Sequence, residues 1–193
     1  MPLSADLQVV LGIDQSLRHT GLFTITEAGF AFSQVDSGSR RGAERLLYIR
    51  DEVQRTVDTY KPTLVALEGY AYGAPGRLAE LGEVAGALKV LVQERSIPLI
   101  TATPMQVKKF STGKHNADKI DVVRAVNSRF NLSWTEKENN MADAAALAMI
   151  AEAYLDPSRL TKRHQLEVIA KLRGEVNIKR KKSSLPRNRF PKI

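Results

Sequence analysis

The sequence predicts an α/β protein: a mixed five-stranded sheet with helices on both faces, followed by a basic C-terminal extension. Three observations carry this. Short β-rich runs come first as a group and then alternate with segments of helical period, in the order β-β-β-α-β-α-β-α-α-α. Two of the apolar runs, at residues 9–14 and 64–68, end in a single carboxylate. The charge is unevenly spread, because residues 1–157 carry 17 basic and 19 acidic side chains while residues 179–193 carry seven Lys or Arg and no acid.

Val9–Ile13 reads as a short buried strand. Gly21–Thr26 and Phe30–Val35 flank Glu27-Ala28-Gly29, a hairpin turn in which glycine supplies positive φ. From Ala43 to Tyr60, Leu46, Leu47, Ile49, Val53 and Val57 recur at helical spacing, and Pro62 separates this helix from the strand Leu64–Leu67. Gly69 to Gly76 holds three glycines, a proline and two tyrosines, and reads as a loop. Helical period returns from Arg77 to Glu94, and Ile97–Thr101 is the last strand. Thr103-Pro104 pairs an N-cap with proline at the first helical position and opens a short helix to Phe110. Ala117–Phe130 and Ala142–Tyr154 complete the set. The domain is placed at residues 1–157 and the basic extension, flexible at its end, at 158–193.

Composition narrows the function. There is no cysteine, which excludes disulfides and thiolate zinc sites and suits a reducing cytoplasm. No apolar run approaches the roughly 18 residues of a membrane span, and the first residues lack the basic-then-apolar order of a signal peptide. A net charge of +8 suits a polyanionic partner. The tail, with Lys179, Arg180, Lys181 and Lys182, reads as a sequence-blind phosphate tether, or as a solubilising terminus.

Asp14 and Glu68 close their strands, and parallel neighbours would bring both acids to one sheet edge. Asp143 heads an alanine-rich helix, where Met141, Ala142, Ala144 and Ala145 predict burial. Strand-end and helix-start carboxylates of this kind suit divalent cations that clamp the attacking and leaving oxygens of a phosphodiester. Lys119 falls in the first turn of a helix, where the dipole disfavours a cation unless an external anion is gripped there. Lys108, Lys109 and Lys114 thicken the positive patch. Tyr70 and Tyr72 either stack on exposed bases or fold back on the core. Trp134 reads as core, and His19 and His115 lack metal-ligand spacing. No Walker loop and no nucleophile elbow are present.

The segments Leu11-Gly-Ile-Asp-Gln-Ser-Leu-Arg-His-Thr-Gly21, Ala66-Leu-Glu68, Leu81-Gly-Glu-Val-Ala-Gly-Ala-Leu, Pro104-Met-Gln-Val-Lys108-Lys, Gly113, Lys119 and Ala142-Asp143-Ala144 are together similar to the RuvC family of Holliday-junction resolvases. That family belongs to the RNase H-like superfamily, and the resemblance spans residues 8–155. It implies a homodimer on a four-way DNA junction, with two Mg²⁺ or Mn²⁺ ions per subunit. Asp14 would bridge the ions and Glu68 and Asp143 would complete the set. Lys119 and Lys108 would lie at the phosphate, and the helix from Arg77 would supply the dimer contact. Symmetric nicks leaving 5′-phosphate and 3′-hydroxyl ends follow. Asn140 stands where family members often place a fourth acid or a histidine, offers a neutral carbonyl oxygen to metal, and points to a divergent, phage-type member. Two readings stay open: a broader nuclease for branched or flap DNA or structured RNA, and a junction-binding protein that does not cleave.

Overall fold

The computed structural model describes residues 8–69 and 77–174. Five strands, β1 (Val10–Asp14), β2 (His19–Thr26), β3 (Gly29–Asp36), β4 (Leu64–Glu68) and β5 (Leu99–Ala102), form one sheet in the order β3-β2-β1-β4-β5. The first three form an antiparallel meander, and β4 and β5 join parallel to β1. Six α-helices cover it: α1 (Gly42–Tyr60), α2 (Leu78–Glu94), α3 (Pro104–Thr112), α4 (Lys119–Phe130), α5 (Asn139–Leu155) and α6 (Arg163–Leu172). The mixed sheet with helices on both faces is the expected fold. Among the described residues no helix is long and apolar enough to cross a membrane.

Strand parity divides the core in two. In β1 and β4, Leu11, Ile13, Val65 and Leu67 face α1 and α2 and pack on Ile49, Val53, Leu88 and Leu91. Val10, Leu64 and Ala66 face the other way, onto α5 and its neighbours. The same alternation puts Asp14 and Glu68 on the α5 side. Helix α5 is surrounded rather than amphipathic, with Ala142, Ala144, Ala145, Leu147, Ala148, Ile150 and Ala151 all buried.

Two glycines let α5 sit directly on the sheet. A β-carbon on Gly12 would lie 2.0 Å from the carbonyl oxygen of Ala144, and one on Gly21 would lie 2.2 Å from that of Asn140. Backbone therefore meets backbone at β1 and β2, on either side of Asp143 along the helix. The helix begins three residues before Ala142, because a 3-10 turn at Glu136–Glu138 runs straight into it. That turn is capped at Thr135, whose Oγ1 accepts from the Lys137 N–H at 3.3 Å while its own N–H donates to the Glu138 carboxylate at 2.7 Å. Asp143 consequently lies a full turn inside α5 instead of at its head.

Helix α6 lies beyond residue 157, where the sequence reading ends the domain. Val168 and Ile169 are buried in the α5-side core, and Lys109 of α3 pairs with Glu167 at 2.7 Å. The basic extension thus starts with a helix packed onto the domain.

Candidate active site

The register between β1 and β4 pairs Gly12 with Ala66 and Ile13 with Leu67. The next step along both strands is Asp14 and Glu68, on neighbouring strands about 4.8 Å apart. At that spacing each carboxyl acts directly on the other's titration. Burial, then the Glu68 and Asp143 carboxylates, push Asp14 well above the ordinary carboxylate range, against the pull of Lys119. Burial and then Asp143 raise Glu68 to about 7, although the hydrogen bond with Asp14 and the charges of Lys108 and Lys119 oppose this. Asp143 is raised to about 6 by burial, which outweighs Lys119 and Lys108. The structure thus brings together five of the residues expected at the site: Asp14, Glu68, Asp143, Lys119 and Lys108.

Local structure explains why each is there. The two strand-end acids are delivered by parity and register. Asp143 is fixed by the glycine contacts of α5. Lys119 is the first residue of α4, whose N-cap Asp118 makes no side-chain cap bond. Lys108 rides on α3, opened by a complete capping box between Thr103 and Gln106.

The other expected residues stand elsewhere. Lys109 is spent on Glu167. Lys114 is exposed in the connection between α3 and α4. Asn140 lies one turn before Asp143 on α5 and donates its side-chain N–H to the His19 carbonyl at 2.8 Å, tying the helix to β2. Tyr70, Tyr72, Lys179, Arg180, Lys181 and Lys182 lie outside the described residues. Trp134 is half-buried and stacks edge-on against Phe32 in a cluster that includes Phe23, in keeping with a packing role.

Sequence reasoning missed Gln15. Its side chain is only 8% exposed, and its Nε2 donates to the Glu68 backbone carbonyl at 2.8 Å, locking the end of β1 to the end of β4. Only the amide N–H can meet a carbonyl, so Oε1 must face the other way, where it is buried without a partner among the described residues. The available signal was a polar side chain directly after a buried strand-end acid. Gln15→Met is expected to cost about 1 kcal/mol in urea denaturation, since loss of the bond to Glu68 is partly offset by removing a buried orphan acceptor.

The donor set fits a hard divalent cation, because all three acids offer carboxylate oxygens. Their raised pKa values record the desolvation and mutual repulsion that such a cation would relieve. As placed, no three His, Cys, Asp or Glu side chains among the described residues close round a single ion. The fit therefore rests on donor chemistry and convergence.

The family model for crossover junction endodeoxyribonuclease RuvC matches residues 10–151, the stretch that holds all five converging residues. The chain belongs to the RuvC family. Two relatives named crossover junction endodeoxyribonuclease RuvC are similar along most of their length. The one from Hydrogenovibrio crunogenus is 32% identical over 168 residues, covering 82% of this chain and 97% of the relative. The one from Caldicellulosiruptor saccharolyticus is 32% identical over 148 residues, covering 72% and 89%. Among solved structures, Thermus thermophilus RuvC superposes with a TM-score of 0.67 at 26% identity, over 78% of this chain and 97% of that one. The same protein in complex with a Holliday junction substrate gives 0.63 at 27% identity, over 74% and 90%. The family model's match stops at residue 151, so α6 lies outside that model.

Proposed function

We propose that the chain is a metal-dependent endonuclease that resolves four-way DNA junctions by symmetric nicking, leaving 5′-phosphate and 3′-hydroxyl ends. The single observation that carries this is the convergence of Asp14, Glu68 and Asp143 with Lys108 and Lys119 inside a RuvC frame. Asp14, Glu68 and Asp143 would hold Mg²⁺, with Mn²⁺ able to substitute, at two ions per subunit; Asn140 adds a neutral side-chain oxygen one turn away. A bound divalent cation supplies Lewis acidity toward the scissile phosphate. Lys119 and Lys108 would neutralise charge that develops on the phosphate oxygens.

A four-way junction presents two equivalent strands, so paired cuts call for two copies of the site. Exposed apolar side chains on α2, Leu78 at 41% and Val90 at 57%, are in keeping with a homodimer contact on that helix. A cysteine-free chain suits the reducing cytoplasm.

Cleavage of a synthetic mobile four-way junction, beside linear duplex and a three-way flap, with Mg²⁺ and with EDTA, tests the reading. Paired nicks on the junction alone, lost in EDTA, are expected. Nicks spread over all branched forms would widen the substrate, and tight binding without product would overturn the nuclease.

Cation and protons compete for the same carboxylate oxygens. Because Glu68 sits at about 7 and Asp143 at about 6, cleavage in limiting Mg²⁺ is expected to rise with pH through that range. The midpoint should move down as Mg²⁺ increases. A flat profile between about pH 5.5 and 8 would separate these carboxylates from metal binding.

A further inference from the structure

The carboxylate site is flanked by cations on one face of the sheet, where Lys108 and Lys119 stand. On the other face, at the same edge, lies a cavity of about 650 Å³. It opens between the β1–β2 turn, the β3–α1 connection and the first turns of α1 and α2. Five arginines line it, Arg18, Arg40, Arg41, Arg45 and Arg77, against two glutamates, Glu80 and Glu83. Arg18 follows Asp14 by four residues, so its Cα lies within about 14 Å of the acid's.

The walls are built. Ser37 is fully buried, its Oγ donates to the Leu17 carbonyl at 2.7 Å, and its N–H donates to the Arg18 carbonyl at 2.9 Å. Arg40 lies 3.9 Å over the Tyr48 ring, donates to the Ser37 carbonyl at 3.2 Å and approaches Glu44 to 3.8 Å. Arg45 donates to the Arg40 carbonyl at 2.9 Å and pairs with Glu80 at 3.2 Å. These two arginines shape the cavity. Arg18 stands 71% exposed, with only a 4.0 Å approach to Asp36, and Arg41 and Arg77 have no acidic partner among the described residues.

Arg41 and Arg77 differ in this from arginines elsewhere on the described surface. Arg55, Arg95, Arg124, Arg129, Arg159 and Arg163 each pair with a nearby Asp or Glu. Arg41 and Arg77 add to a lining of five arginines against two glutamates, and like charges gathered round one concavity repel each other and are relieved by an anion from outside. A volume of about 650 Å³ is far larger than one phosphate needs.

We propose that this arginine-lined cavity is a second phosphate-binding surface, which takes the DNA strand backbone entering the carboxylate site from the sheet face opposite Lys108 and Lys119. The inference rests on the junction-nuclease reading. Phosphate contacts of this kind fix register and orientation without reading bases.

The test compares wild type with Arg18→Gln/Arg41→Gln, using fluorescent four-way junction without divalent cation across a salt series. A second double variant, Arg55→Gln/Arg95→Gln, removes the same formal charge toward the far ends of α1 and α2. The cavity variant is expected to bind about tenfold more weakly at moderate salt, with the slope of log affinity against log salt reduced by about 2. The far-end variant should change neither by more than about twofold. Equal losses in both variants, or no loss in the cavity variant while wild type binds, would overturn the proposal. A wild type that binds no junction would instead remove the reading beneath it.

Discussion

Glu68→Gln is expected to lower junction cleavage on the order of 10³-fold while making the metal-free protein more stable at pH 8. Both effects come from one buried charge. Glu68 is raised to about 7 in the fold, by burial first and then by Asp143, so the native state keeps a proton that the unfolded chain gives up near pH 4.5. A group raised in this way lends stability that is fully present below its unfolded pKa and is lost as pH climbs through its folded one. At pH 8 the wild-type carboxylate is ionised in a buried site beside Asp143, at a cost of about 2–4 kcal/mol. Glutamine carries no charge there and is nearly the same size. Thermal melts in EDTA at pH 8 should place the variant above wild type, with the gap closing by about pH 4. Adding Mg²⁺ should stabilise wild type and leave the variant much less changed, because the cation binds the native carboxylates and not the unfolded chain. A variant that lost both activity and stability at pH 8 would mean that Glu68 serves packing and not a cation. One that kept cleavage would remove Glu68 from the site.

Much of this site was legible in the sequence because it depends on period-2 and register logic. Asp14 and Glu68 each close an apolar run, and a buried strand that ends in an acid delivers that acid to a sheet edge. The alanines around Asp143 marked a helix buried on every side. What stayed hidden depends on contacts between segments distant in sequence. Lys109 and Lys108 are adjacent and identical in type, yet Lys109 pairs with a glutamate 58 residues away and Lys108 acts on the carboxylates. No local pattern separates them. Gln15 binds a carbonyl 53 residues on, which a hydropathy pattern cannot show. Helix α6 reads as part of the basic extension because Lys162, Arg163, Lys171 and Arg173 dominate its composition, while Val168 and Ile169 bury a narrow stripe. The head of α5 lies three residues before the one the sequence suggests, since Asn139 and Asn140 are weak helix formers and the cap lies upstream at Thr135.

Gly12→Ala should be among the most damaging single-methyl changes available to this chain. Alanine in a strand normally costs little and often helps, since glycine loses more freedom on folding. Here the added carbon would stand 2.0 Å from the Ala144 carbonyl oxygen and 2.4 Å from the Ala148 nitrogen, both backbone atoms of α5. No rotamer change can relieve a clash with backbone, so β1 or the whole helix must move. With α5 packed against β1, β2 and β4, that movement opens the main core, and a loss of at least about 3 kcal/mol is expected. In a domain of this size the melting temperature should fall by roughly 10 °C. Gly86→Ala is the matched control: it lies in α2, meets nothing within 4 Å, and should stabilise by about 0.5–1 kcal/mol. Any Gly12→Ala protein that remains folded should cleave junctions poorly, because Asp14 lies two residues along β1 and Asp143 is the residue before Ala144. The distance between two of the three carboxylates is set at this contact. A Gly12→Ala chain melting within about 2 °C of wild type would show that α5 does not rest on the β1 backbone, and the placement of Asp143 would need another cause.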